Sequence, residues 1–138
     1  MDLIDEQILK QLQKNSRLSM TELGKRVHLS SPAVKERVRQ LEESGVLHAY
    51  TIHLNYKQLG YPISAIIEAV IKNNRYEQFK QHIQNQTNIE FCYRIAGDAC
   101  FILKAHFQDF QAAENFIDTL LPLAATKTNF IFSEVVID

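Results

Sequence analysis

The apolar residues of this chain change period at Gly45. Before that point they recur at helical spacing only; after it they fall into short, β-rich runs broken by helical stretches. Such a break divides 138 residues into a small helical unit and a larger mixed one. We read residues 1–54 as the first, 55–62 as a linker ending in Gly60-Tyr61-Pro62, and 63–138 as the second.

In the first unit, Asp2 is placed to cap a helix whose inner face is Ile4, Ile8, Leu9 and Leu12, and Lys14-Asn15-Ser16-Arg17 breaks it. Ser19 and Glu22 have capping-box spacing, opening a short helix with Met20, Leu23 and Val27 inward. Ser30 caps a third helix, Pro32 is tolerated in its first turn, and Val34, Val38 and Leu41 form the buried stripe. Val46-Leu47 and Tyr50–Leu54 are expected to form a short β-ribbon behind it. Two helices joined by His28-Leu29-Ser30-Ser31, with another in front to close the core, make a helix-turn-helix over residues 19–38. The short turn projects the helix over 31–44 so that its outer face fits a major groove ~12 Å wide.

Charge supports that reading. The net charge of the chain is −1, but between Lys25 and Arg39 five basic residues face one acid, Glu36. Concentrated positive charge is the electrostatic footprint of nucleic-acid binding, although a solvated helix face shows it too. At 100° per residue Pro32, Lys35, Glu36 and Arg39 lie opposite the buried stripe. The expected DNA-contacting set is Lys25, Arg26, Ser30, Ser31, Pro32, Lys35, Glu36 and Arg39. Arg37 borders the stripe, and we expect it to brace an acid such as Asp5 or Glu22.

The second unit reads β-α-β-β-α-β, a ferredoxin-like order with both helices on one face of an antiparallel sheet. The strands are Ser64–Lys72, Ile89–Ala96, Ala99–Phe107 and Phe130–Ile137, with a tight Gly97-Asp98 hairpin turn. Asn74 and Asp109 are placed to cap the two helices. Runs such as Ile66-Ile67, Ala99–Leu103 and Val135–Ile137 are apolar on both faces, whereas two helices cover only one. The other face therefore calls for a second copy of the chain, and a homodimer is expected. The fold class is α+β.

Other chemistry is sparse. Cys92 and Cys100 are too few for a disulfide framework and are read as buried strand cysteines, with redox sensing as the alternative. His28, His48, His53, His82 and His106 are scattered without metal-ligand spacing. Ser30-Ser31 has no base placed beside it, and no glycine-rich phosphate loop occurs. No metal, cofactor or enzymatic activity is expected. The longest apolar runs fall short of the ~20 residues that span a bilayer, so no membrane partner is expected either. No signal-peptide pattern opens the sequence, which points to the cytoplasm.

These residues together resemble the Lrp/AsnC (leucine-responsive, feast/famine) transcription regulators, most closely the small Gram-positive paralogues. The match runs through Leu3-Ile4-Asp5, Ile8-Leu9, Leu12, Arg17-Leu18-Ser19, Glu22-Leu23, Leu29-Ser30, Val34, Arg37-Val38, Leu41-Glu42 and Gly45-Val46-Leu47. In the second half it runs through Ala96-Gly97-Asp98 and Phe101-Ile102-Leu103. The resemblance implies a winged-type helix-turn-helix binding double-stranded DNA, a ferredoxin-like effector and assembly domain, dimers that often build octamers, and a nucleoid-associated place in a bacterial cell. It also implies amino-acid effectors bound near the turn at Gly97, Asp98, Ala99 and Cys100. Where effector-responsive members commonly carry Gly-Asp-x-Asp, this chain has Cys100 in place of the second acid. The competing functional reading is a small-molecule-sensing ferredoxin-like module that acts through protein contacts without DNA.

Overall fold

The computed structural model describes residues 1–137. The chain forms two units, Met1–His53 and a second beginning at Leu54.

The first unit holds α1 (Leu3–Lys14), α2 (Met20–Val27) and α3 (Ser31–Glu43). Each begins where a short polar side chain satisfies an otherwise unpaired amide of the first turn. Asp2 and Asp5 cap α1 reciprocally, while the Ser19 and Ser30 hydroxyls accept from Glu22 N and Ala33 N. Ile8, Leu12, Leu23, Val27, Val34, Val38 and Leu41 close into one core. The turn between α2 and α3 depends on two backbone features. His28 adopts the left-handed conformation at φ 60°, and its amide and that of Leu29 both donate to Gly24 O. Gly24 is not a turn residue: it lies inside α2, and a Cβ there would meet Leu29 O at 2.6 Å.

The expected ribbon after α3 does not form. Among the described residues 46–54 carry no strand, and Leu47 N–H donates to Leu41 O at 2.9 Å, so the helix end takes the group a strand partner would need.

The second unit holds β1 (Ile63–Ile71), α4 (Tyr76–Gln84), β2 (Ile89–Arg94), β3 (Phe101–Phe107), α5 (Phe110–Leu120) and β4 (Ala124–Phe130). The strands form one antiparallel sheet in the order β2-β3-β1-β4, as a ferredoxin-like fold requires. Ala65, Ile67 and Ala69 of β1 and Phe101, Leu103, Ala105 and Phe107 of β3 pack against Phe79 and Ile83 of α4 and Ala113, Phe116 and Leu120 of α5. The alternate residues, Ile66, Glu68, Val70, Ile102, Lys104 and His106, line the face without helices. That face is amphipathic rather than wholly apolar, with Glu68 paired to Lys127 at 4.0 Å and Glu90 to Lys104 at 3.3 Å.

Four expectations need correction here. The last strand is Ala124–Phe130, not Phe130–Ile137, because its register uses β1 from Ile71 back to Ala65 and leaves only Ser64 O for Ile131 N. Phe132, Val135, Val136 and Ile137 are left largely exposed. Asn74 does not cap α4; it sits at φ 58°, and Arg75 holds the cap position without a side-chain bond. Residues 55–62 are not an open linker: turns span 56–60, and the Tyr56 ring stacks on His106 at 3.5 Å. His106 is buried, hydrogen-bonded to Ser64 Oγ at 2.7 Å and to Glu90 Oε2 at 2.8 Å, which removes the cost of enclosing its polar ring. The fourth concerns the β2–β3 connection. Ile95 N–H donates to Cys100 O, closing a four-residue loop Ala96–Ala99 rather than a two-residue turn.

Candidate nucleic-acid interface and ligand groove

On α3, Val34, Val38 and Leu41 face the core, while Pro32, Lys35, Glu36 and Arg39 are exposed. Lys25 and Arg26, in the last turn of α2, are exposed as well. Ser30 is consumed as the α3 cap, and Ser31 opens that helix half-buried. The eight residues expected to meet DNA thus belong to the turn and the two helices it joins.

The local charge differs from the sequence count. Arg37 donates to Asp2 and Asp5, which raise its pKa, while Arg26 lies 3.4 Å from Glu22 and donates to Gln11. Arg39 is held by two carboxylates of its own helix. Its Nε and Nη2 donate to the two oxygens of Glu36 at 2.9 and 2.6 Å, and its Nη1 donates to Glu43. These bonds raise the pKa of Arg39 and hold Glu36 below the usual carboxylate range. Lys25 and Lys35 are the two cations of the five without an ion-pair partner among the described residues.

Tyr50 was not singled out from the sequence. Its hydroxyl donates to Glu42 at 2.9 Å, with burial and that carboxylate pushing its pKa up to about 12. It closes a groove along α3 with Met20, Pro32, Lys35 and Arg39. Only the alternation Tyr50, Ile52, Leu54 hinted at a role for this segment, and it suggested a strand instead.

The candidate effector residues separate. Asp98 and Ala99 line a groove with Glu68, Val70, Ala125, Thr126 and Lys127. Gly97 holds φ 142°, a conformation that favours glycine. Cys100 is not among the lining residues. It lies in the loop just before β3 and packs against the helix-side core, with its Sγ 3.6 Å from Tyr76 Oη. Neither it nor Cys92 is the buried strand cysteine expected: both are half-buried, and Cys100 falls outside the paired strand. The Ile71 amide and the Tyr76 hydroxyl hold its thiol below the ordinary value, whereas burial pushes Cys92 up. Carboxylates and an ammonium in one groove, beside small apolar side chains, complement a zwitterion that carries a modest apolar group.

Among the described residues there is no cluster of three potential metal ligands. None of their helices is long and apolar enough to cross a membrane.

Residues 1–48 match the family described as winged helix-turn-helix DNA-binding, and residues 64–138 match the Lrp/AsnC ligand binding domain. The sequence is 52% identical to the HTH-type transcriptional regulator LrpC of Bacillus subtilis over 98% of this chain and 94% of that protein. It is 35% identical to the leucine-responsive regulatory protein of Escherichia coli K12, over 98% and 87%. The fold superposes on the structure of B. subtilis LrpC with a TM-score of 0.97 at 51% identity, covering 100% of this chain and 99% of that one. A Neisseria meningitidis transcriptional regulator in complex with L-Met matches with a TM-score of 0.92 at 29% identity, over 99% and 92%.

Proposed function

This chain belongs to the Lrp/AsnC family of transcriptional regulators, and on that premise we propose how its parts divide the work. It binds duplex DNA through its helix-turn-helix, with Lys25 and Lys35 on phosphates and the exposed face of α3 in the major groove. The single observation that carries this assignment is the capped α2–turn–α3 unit, which leaves Lys25 and Lys35 exposed on the face away from the core and, among the described residues, without an ion-pair partner.

The working unit is a homodimer that assembles further, to octamers. Support comes from Ile66, Val70, Tyr93 and Ile102 on the helix-free face and from the exposed Phe132 and Val135–Ile137. Apolar surface of this kind is rarely left open on a monomer. Two recognition helices related by a two-fold axis meet half-sites about 34 Å apart, one turn of duplex.

A free amino acid modulates binding from the groove at Gly97, Asp98 and Ala99. There Asp98 and Glu68 face its ammonium, Lys127 its carboxylate, and Val70 and Ala125 its side chain. The ligand-binding domain match and the L-Met complex of the Neisseria relative support an amino acid as the effector, and the charged lining of the groove supports its location. The protein works with bacterial DNA in the cytoplasm, by binding alone and without a catalytic step.

Selection of bound genomic fragments by the parent and by Lys35→Ala, with and without a panel of amino acids, tests the function. Enrichment of defined fragments by the parent, lost in Lys35→Ala and altered by an amino acid, is the expected result. Recovery of the same fragments by both proteins removes α3 from the assignment.

A further inference from the structure

Arg39 lies in the middle of the exposed face of α3, yet three of its N–H donors are already bonded to Glu36 and Glu43. Gln40 adds a fourth group, donating to Glu36 at 3.2 Å. One guanidinium between two carboxylates leaves the group at net −1. The same neutralisation extends across the face. Widening the charge count to residues 22–43 adds Glu22, Glu42 and Glu43 against the same five cations and leaves a net +1. A surface built for indiscriminate attraction to phosphate would not carry two acids bonded to its central arginine, because each repels the backbone it approaches.

We propose that Glu36 and Glu43 are specificity-determining residues: by clamping Arg39 they suppress its sequence-indifferent binding to phosphates. This rests on the DNA-binding reading above. Swinging Arg39 onto a phosphate breaks its bonds to Glu36 and Glu43 and brings both carboxylates towards the duplex backbone. A base edge changes that balance. A G·C pair offers O6 and N7 acceptors to an arginine and an N4 amine to a carboxylate, so Arg39 and Glu36 are satisfied there together. Binding without sequence is penalised, and binding to the right edge is not. Affinity differences of this kind set specificity, and repulsive elements are one of the two ways to create them.

The test compares the parent with Glu36→Gln, Glu43→Gln and the double variant. Binding is measured by fluorescence anisotropy on a random-sequence duplex and on a duplex selected by the parent, across a salt series. Glu77→Gln serves as the charge-matched control for each single variant, since among the described residues Glu77 pairs only with Lys80 on α4. The double variant is expected to bind random duplex roughly two- to fivefold more tightly, a range typical of exposed pairs. Its log–log salt slope should steepen by roughly 0.9 as Arg39 gains a phosphate. Its preference for the selected duplex should fall, while Glu77→Gln matches the parent. Unchanged or weaker binding to random duplex overturns the inference, as does a gain in Glu77→Gln equal to that of Glu36→Gln and Glu43→Gln singly. A parent that binds no duplex even at low salt overturns the DNA-binding reading itself, a result distinct from parental binding with indifferent variants. Circular dichroism of each variant separates these outcomes from loss of α3.

Discussion

Arg37 on α3 donates from Nη1 to both carboxylate oxygens of Asp2, at 2.8 Å each, and Asp2 is also the residue that caps α1. One acid therefore terminates the first helix and ties it to the third. The Arg37 hydrogen bond, followed by the Asp5 amide, lowers the pKa of Asp2 from 3.8 to about 2. A depressed carboxylate contributes stability above its unfolded value and loses it as pH falls through the folded value. The parent should therefore lose melting temperature between about pH 4 and pH 2 through this contact. Asp2→Asn keeps the cap but not the charge, and its melting temperature should fall less over that window. Equal slopes in thermal melts of the two proteins would remove Asp2 from the linkage.

Gly24 sets how closely α2 approaches the turn that follows it. Its missing Cβ leaves room for Leu29 O, which would otherwise stand 2.6 Å away, and both are backbone-anchored. Gly24→Ala is expected to destabilise the helix-turn-helix by about 1–3 kcal/mol, the usual range for overpacking. Hydrogen exchange should show faster opening of α2 and α3 amides with the sheet amides unchanged. An unaffected α2 would mean the turn relaxes without cost.

The carboxylate missing from the Gly97-Asp98-Ala99-Cys100 loop is informative because of where residue 100 points. Cys100 packs beside Tyr76 and the helix-side core, and Arg94 lies 4.4 Å from the Tyr76 ring centroid. An acid introduced by Cys100→Asp meets Tyr76 and Arg94 rather than a ligand in the groove. Calorimetry with leucine, methionine and asparagine should therefore show no gain in Cys100→Asp, and a loss in Asp98→Asn and Lys127→Ala relative to the parent. Stronger binding by Cys100→Asp would place its side chain in the ligand's path.

Ile66 and Ile102 sit half-buried on the helix-free face of adjacent strands. At micromolar concentration the parent is expected to sediment as a dimer or larger, and Ile66→Asp with Ile102→Asp as a folded monomer. A folded monomeric parent would require another reason for the apolar surface.

Much of this was legible in the chain because the signals are local. Caps at Asp2, Ser19, Ser30 and Asp109 sit one residue before the helices they start, and the inward stripes follow from 3.6 residues per turn. Arg37 was legible as a brace from its position at the border of the stripe, with Asp5 as one of its two foreseen partners and Asp2 added by the fold. What failed depended on distant partners. Phe130–Ile137 looks more like a strand than Ala124–Phe130, but β1 runs out of unpaired backbone beyond Ser64. Residues 55–62 look like a linker because nothing nearby reveals that Tyr56 stacks on a ring fifty residues away. Likewise a charge count over 25–39 cannot see Asp2, Glu22 and Glu43 arriving from outside the window.

The most direct measurement is the salt dependence of duplex binding by the parent and by Lys25→Ala with Lys35→Ala. These two lysines carry no ion pair among the described residues, so their loss disturbs no internal contact of that kind. The double variant should bind more weakly, with a log–log slope flatter by roughly 1.8, or 0.9 for each phosphate contact removed. The same affinity and slope in both proteins would contradict the assignment of DNA binding to this face.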